Sequence, residues 1–104
     1  EGHIHWQEES ALEIERKFRS FAPWPGIFGF YSLEENSANK RRLQFTKVET
    51  VTGKFEPGKI YPELIVGTRS GALRILKLKP EGKLEMDADS FLRGQAQIVG
   101  TFME

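Results

Sequence analysis

The stretch ELIVGTRSGALRILKLK, residues 63–79, decides the fold. Glu63 to Thr68 is a compact apolar run, Arg69 to Gly71 is polar and ends in glycine, and Ala72 to Lys79 is a second apolar run. Two such runs around a short Ser-Gly turn predict an antiparallel hairpin. One detail breaks the pattern. Successive side chains of a strand point to opposite faces, yet Lys77 shares parity with Leu73 and Ile75. Either a bulge shifts the alternation or Lys77 lies at the rim of a barrel.

Strand character continues upstream. Arg42 to Val51 carries β-branched and aromatic residues at Phe45, Thr46, Val48, Thr50 and Val51. Residues 53–59 read as a break, followed by a short strand over 59–61, and Ile27 to Leu33 is an aromatic-rich strand ended by the polar turn 34–39. Before these lies SFAPWPGIFGFY, residues 20–31. Each proline fixes its own φ and pushes the preceding residue out of the helical region, so Ala22 and Trp24 are expected to be extended. Pro25-Gly26 suits the centre of a type II turn. Trp24, Pro25 and Gly26 therefore read as a structural corner that stops a helix and launches the first strand.

The helix is announced by Ser10-Ala11-Leu12-Glu13, a capping box in which the serine hydroxyl and the glutamate each satisfy a free backbone amide. Ala11, Ile14, Phe18 and Phe21 follow on one helical face, predicting a helix over 11–21. Downstream of the hairpin, residues 80–83 turn, Asp87 can cap a short helix over 88–93 with Gly94 at its end, and 98–103 is a last candidate strand. The expected architecture is mainly β: a small OB-like, partly open Greek-key barrel preceded by one N-terminal helix, with a short late helix. Residues 1–104 form one domain in this reading, with 1–9 a linker remnant, 10–22 the leading helix and 23–104 the barrel.

A chain of 104 residues supports a single core. It has no cysteine, which excludes disulfides, thiolate metal sites and a cysteine nucleophile, and fits a cytoplasmic location. No apolar run approaches the roughly 20 residues needed to span a bilayer. The chain opens Glu1-Gly2-His3 without a start methionine, and so reads as part of a longer protein. The net charge is zero, but its distribution is uneven. Between Lys40 and Lys83 stand eleven Lys and Arg against four Glu, an excess of +7 that the two flanks offset. Such clustering is either an ordinary solvated surface or a basic face for a polyanion.

Catalytic and metal chemistry finds little support. His3 and His5 have no third histidine or cysteine to complete a metal site. Asp87 and Asp89 suit a helix start, where negative charge meets the positive end of the dipole. The serines lack a recognisable histidine partner, and 67–71 lacks the lysine and following helix of a phosphate loop. Phe28, Phe30, Tyr31, Phe45, Phe55 and Tyr61 could stack on bases, but a small barrel uses such rings mainly as core filler. Lys40-Arg41-Arg42 is more telling, because three adjacent cations cannot all face inward.

Read together, Ile4 and Trp6, ERKFRSFAPWPG (15–26), LQFTKVE (43–49), the Pro-Gly at 57–58 and SGALRILKLKPEGKLEMDADSFLRG (70–94) resemble the C-terminal domain of bacterial methionyl-tRNA formyltransferases. The resemblance runs from about Ile4 to Gly94. It implies a parent enzyme whose N-terminal domain uses 10-formyltetrahydrofolate to formylate methionine on initiator tRNA. None of that domain's motifs is present, so no catalytic, cofactor-binding or metal-ligating residue is expected here. The resemblance implies instead a tRNA-binding accessory domain whose positively charged face contacts initiator tRNA through its backbone, beside the N-terminal catalytic domain. The tRNA-binding candidates, chosen by charge and position, are Lys40, Arg41, Arg42, Lys47, Arg74, Lys77, Lys79, Lys83 and, more weakly, Arg93. Two alternatives are the same barrel in a sugar-nucleotide formyltransferase, and a purely structural or dimerising module.

Overall fold

The computed structural model describes residues 2–21, 26–32 and 40–104. Trp24 and Pro25, the turn 34–39 and the side chain of Phe21 lie outside the described residues, whereas Gly26 takes the positive φ, 78°, that the corner requires of it.

The capping box forms as its residues dictate. The Ser10 N–H donates to Glu13 Oε1 at 2.8 Å and the Glu13 N–H donates to Ser10 Oγ at 3.1 Å. Helix α1 (Ala11–Phe21) then buries Ala11 and Ile14 and packs Phe18 against the core. Its start is tied to the turn of the central hairpin. The Ala11 N–H donates to the Ser70 carbonyl at 3.0 Å, the Arg69 N–H to the Glu9 carbonyl at 3.1 Å, and the Arg69 guanidinium to Glu13 at 3.1 Å.

The described strands are β1 (Ile27–Tyr31), β2 (Arg41–Val51), β3 (Ile60–Tyr61), β4 (Ile65–Gly67), β5 (Ala72–Pro80) and β6 (Met86–Asp87). They form one antiparallel sheet in the order β1-β2-β5-β4-β3, with β6 added to β5. The predicted hairpin is β4–β5. Its turn needs Gly71, at φ 76°, where a Cβ would stand 2.8 Å from the Val51 carbonyl oxygen. Gly67 admits a close approach, since a Cβ there would lie 2.0 Å from the Glu56 carbonyl oxygen. The strand expected over 63–68 is shorter, because Pro62–Leu64 is a 3-10 turn. Glu63 and Leu64 take left-handed φ values of 67° and 57°, held by an ion pair from Glu63 to Arg74 at 3.1 Å and by full burial of Leu64.

The broken alternation at Lys77 is a bulge. Phe45 pairs with Leu78, Lys47 with Lys77 and Val48 with Ile75, so Thr46 on β2 and Leu76 on β5 are each skipped. The inner face of β5 is Leu73, Ile75 and Leu78, all fully buried, while Lys77 and Lys79 are exposed together on the outer face.

The expectation of a mainly β fold with a leading and a late helix holds, but the sheet is open rather than a closed barrel. The last residues run between its two edges. Residues 98–103, expected as a strand, begin in a 3-10 turn (Ala96–Ile98) and include Gly100 at φ 97°. They hydrogen-bond to β3, with the Ile60 N–H donating to Thr101 and the Gly100 N–H donating to Ile60. They then reach β1, where Phe30 and Glu104 exchange backbone hydrogen bonds at 2.6 and 2.7 Å. Met103, part of this strap, is itself buried. The opening residues are also part of the fold rather than a linker. Ile4 and Trp6 are each 1% exposed, and Ile4 and Gly2 flank β1 through hydrogen bonds with Phe28 of 3.0 and 2.9 Å.

Helix α2 (Ala88–Gly94) is capped by Asp87, which accepts from the Ser90 N–H at 2.8 Å. That hydrogen bond holds the Asp87 carboxyl below its ordinary value of 3.8, as the Ser10 N–H and then Arg69 hold Glu13 below 4.5. A lowered carboxylate stabilises the fold at pH values above its unfolded pKa and loses that contribution as pH falls through the folded value. Thermal melts should therefore show stability declining below about pH 4, and Asp87→Asn, less stable at neutral pH, should show a smaller decline. Removing one half of the first cap, Ser10→Ala, should cost about 1 kcal/mol in denaturant unfolding. Met103→Ala should cost about 2–5 kcal/mol; an unchanged midpoint would contradict a packed C-terminal strap.

Candidate nucleic-acid interface

The basic segment between Lys40 and Lys83 is distributed by strand register. Residues paired directly across an antiparallel ladder share a face. On the outer face this places Phe28 beside Gln44 and Gln44 beside Lys79, Phe30 beside Arg42, Lys47 beside Lys77, and Glu49 beside Arg74. Lys47, Lys77 and Lys79 form a cationic strip across the middle of the β2–β5 ladder, with Arg42 nearby at the β1 side. All four are exposed. Among the described residues, no carboxylate forms an ion pair with any of them.

Two features shape the charge of this strip. Lys47 and Lys77 are directly opposed, an arrangement of like charges that destabilises a ladder unless an anion bridges it. Asp87 opposes Lys77 from β6, but its carboxylate is engaged in the helix cap. Arg42 is held in place by its surroundings. Its guanidinium carbon lies 5.4 Å from the centre of the Phe28 ring, and its backbone N–H donates to Glu81 at 3.3 Å. A guanidinium ordered on an aromatic face keeps its outward N–H groups available to phosphate.

The remaining candidates are not gathered here. Lys40 is paired with the side chain of Glu104, which belongs to the C-terminal strap. Arg74 is engaged by Glu49 at 3.0 Å and Glu63 at 3.1 Å, so its charge is offset within the protein. Arg41 shares a face with Tyr31 rather than with Arg42. It lines a cleft with Lys83 at the end of the sheet, away from the strip. Arg93, on α2, donates to the Ser90 hydroxyl at 3.2 Å.

The aromatic residues divide in the same way. Tyr31 and Phe45 are core, and Phe55 and Tyr61 pack edge to face with centres 5.2 Å apart. Phe28 and Phe30 instead lie half-buried on the outer face of β1, a placement that composition did not reveal. The signal available was parity: in IFGFY the two phenylalanines alternate with Ile27, Gly29 and Tyr31, whose face is buried. His3 stacks on Phe28, centres 5.4 Å apart and planes 7° apart, and meets Phe30 edge-on at 5.2 Å. His3 thus serves as a ring-packing residue, and among the described residues no group of His, Asp and Glu is arranged to hold a metal ion.

The arrangement offers an exposed row of cations on one face of the sheet. Comparison with known proteins gives this surface a family. The model of the formyl transferase C-terminal domain matches residues 1–96. The methionyl-tRNA formyltransferase of Dehalococcoides mccartyi is 37% identical over 102 residues, covering 95% of this chain and 31% of that protein. The enzyme of the same name from Thermodesulfovibrio yellowstonii is 39% identical over 98 residues, 91% of this chain and 29% of that protein. For the one from Thermus thermophilus the identity is 35% over 97 residues, 89% and 30% of the two chains. The chain thus spans about a third of the length of these curated relatives. With the match extending through helix, sheet and late helix alike, the chain belongs to the formyl transferase C-terminal domain family.

Proposed function

We propose that this domain binds the sugar-phosphate backbone of initiator tRNA through Arg42, Lys47, Lys77 and Lys79. It would position the methionyl end for formyl transfer by an N-terminal catalytic domain. That catalytic domain would use 10-formyltetrahydrofolate, and the parent would be a methionyl-tRNA formyltransferase of the cytoplasm. This domain would supply no catalytic group and bind no cofactor. The observation that carries the reading is the directly opposed Lys47–Lys77 pair, flanked by Lys79 and lacking ion-pair partners among the described residues. Like charges set opposite each other cost stability in the free domain, and a bridging phosphate removes that cost. Contacts of this kind orient a nucleic acid without reading its bases. The names of the similar proteins supply the tRNA; the strip supplies a surface of suitable charge.

The test is binding of the 104-residue chain to deacylated initiator tRNA across a salt series. Affinity should fall steeply with salt, and Lys47→Glu/Lys77→Glu/Lys79→Glu should reduce the slope of log K against log salt by about 2 to 3. Unchanged affinity and slope in the triple variant would overturn the assignment of this strip. No binding by the parent chain at low salt would move the reading to a structural module.

A further inference from the structure

Two of the cations that stand outside the strip meet at a cleft of their own. Arg41, from the start of β2, and Lys83, from the turn after β5, are the charged residues lining a cavity of about 180 Å³. Tyr31, Met86, Phe91 and Gln95 contribute to its walls. Tyr31 and Phe91 are each 4% exposed and meet edge to face, centres 5.6 Å apart, so the aromatic wall is held rigidly. Arg41 and Lys83 are exposed, and among the described residues neither has an ion-pair partner. Among the described residues, no carboxylate lines the cavity.

Size and chemistry restrict the occupant. A site for a whole drug-sized ligand or cofactor takes about 300–1,000 Å³, so this cleft suits one ring system rather than a complete cofactor. Aromatic and thioether walls favour a flat, polarizable ring. The Gln95 amide, whose Oε1 accepts from Gln97 Nε2 at 3.5 Å, keeps its N–H donors and a second lone pair for the mixed edge of a nucleobase. The unpaired cations suit the phosphate attached to that ring. On the outer face, Phe28 is already covered by His3 and Arg42.

We infer that the cleft formed by Tyr31, Arg41, Lys83, Met86, Phe91 and Gln95 receives one unpaired nucleotide of a bound RNA, with its base against the aromatic wall and its phosphate on Arg41 and Lys83. The inference rests on the RNA-binding reading and adds a second contact to it. Arg41 and Arg42 are consecutive and point to opposite faces of β2, so a strand crossing that edge can satisfy both. The strip holds paired backbone, and the cleft selects RNA with an unstacked base beside it. Single-stranded nucleotides are commonly held in this manner, by ring contacts together with charge.

The test is an amide chemical-shift titration of the 104-residue chain with AMP and with UMP at low salt. Ribose 5-phosphate, inorganic phosphate and O-phosphotyrosine serve as separate probes. A nucleotide should shift the amides of Met86, Phe91 and Gln95, and Arg41→Ala/Lys83→Ala should weaken it by about tenfold. Both substituted residues are exposed, so the variant should keep the parent spectrum elsewhere. Equal binding of ribose 5-phosphate would reduce the cleft to an anion site and overturn the inference. Tighter binding of O-phosphotyrosine would overturn it in favour of a phosphopeptide, and absence of nucleotide-induced shifts would overturn it outright. A fully paired RNA hairpin separates this failure from failure of the strip. If that hairpin still shifts Lys47, Lys77 and Lys79 while nucleotides leave the cleft unmoved, the backbone reading stands and the cleft falls.

Discussion

The ladder between β2 and β5 is the constraint on which the rest of this domain depends. It joins the β1 side of the sheet to the β4–β3 side, and both of its strands place their inward residues in the core. Leu43, Phe45, Leu73, Ile75 and Leu78 are at most 1% exposed, and each fully buried side chain of this size contributes about 1.5–3 kcal/mol. Such a ladder tolerates no simple slip, since a one-residue shift would expose every inward side chain. The chain meets this constraint with one skipped residue on each strand. Because both strands skip once, the core register resumes beyond the bulge and only the local alternation changes.

That local change produces the basic surface. Without the skip at Leu76, Lys77 would share the inward face of Leu73 and Ile75, where an unpaired ammonium is strongly disfavoured. With it, Lys77 turns outward beside Lys79 and opposite Lys47. Burying the apolar residues and exposing the cations are therefore one event. The same register explains why neighbours in the chain part company. Arg41 and Arg42 lie one residue apart and so on different faces, whereas Arg42 and Lys79, distant in sequence, come to the same one.

The periphery is held by segments that carry little strand character. The N-terminal residues place Ile4 and Trp6 in the core, and the C-terminal residues bond to β3 and β1 in turn. An open sheet leaves unpaired backbone groups along its edges, and such edges invite association with other chains. Here residues 2–4 and 100–104 occupy part of those edges, which limits that exposure without a closed ladder.

Some of this was legible in the amino-acid sequence. Ser10 with Glu13, and Asp87 ahead of Ala88, announce helix starts because their side chains satisfy amides within three residues. The Gly71 turn follows from local φ preference, and the anomalous parity of Lys77 announced that a bulge or a rim was needed. Those signals are local, so the chain carries them by itself. Tertiary structure alone decided that the bulge was the answer, that residues 98–103 strap two edges rather than form a strand, and which of the two alternating faces of Ile27–Tyr31 turns outward. It also decided the fate of each cation: Lys40 meets Glu104, Arg74 meets Glu49 and Glu63, and the cations facing the strip and the cleft form no ion pair among the described residues. A charge cluster in sequence states how much charge there is. Where that charge points depends on register and on partners far along the chain, which only folding brings together.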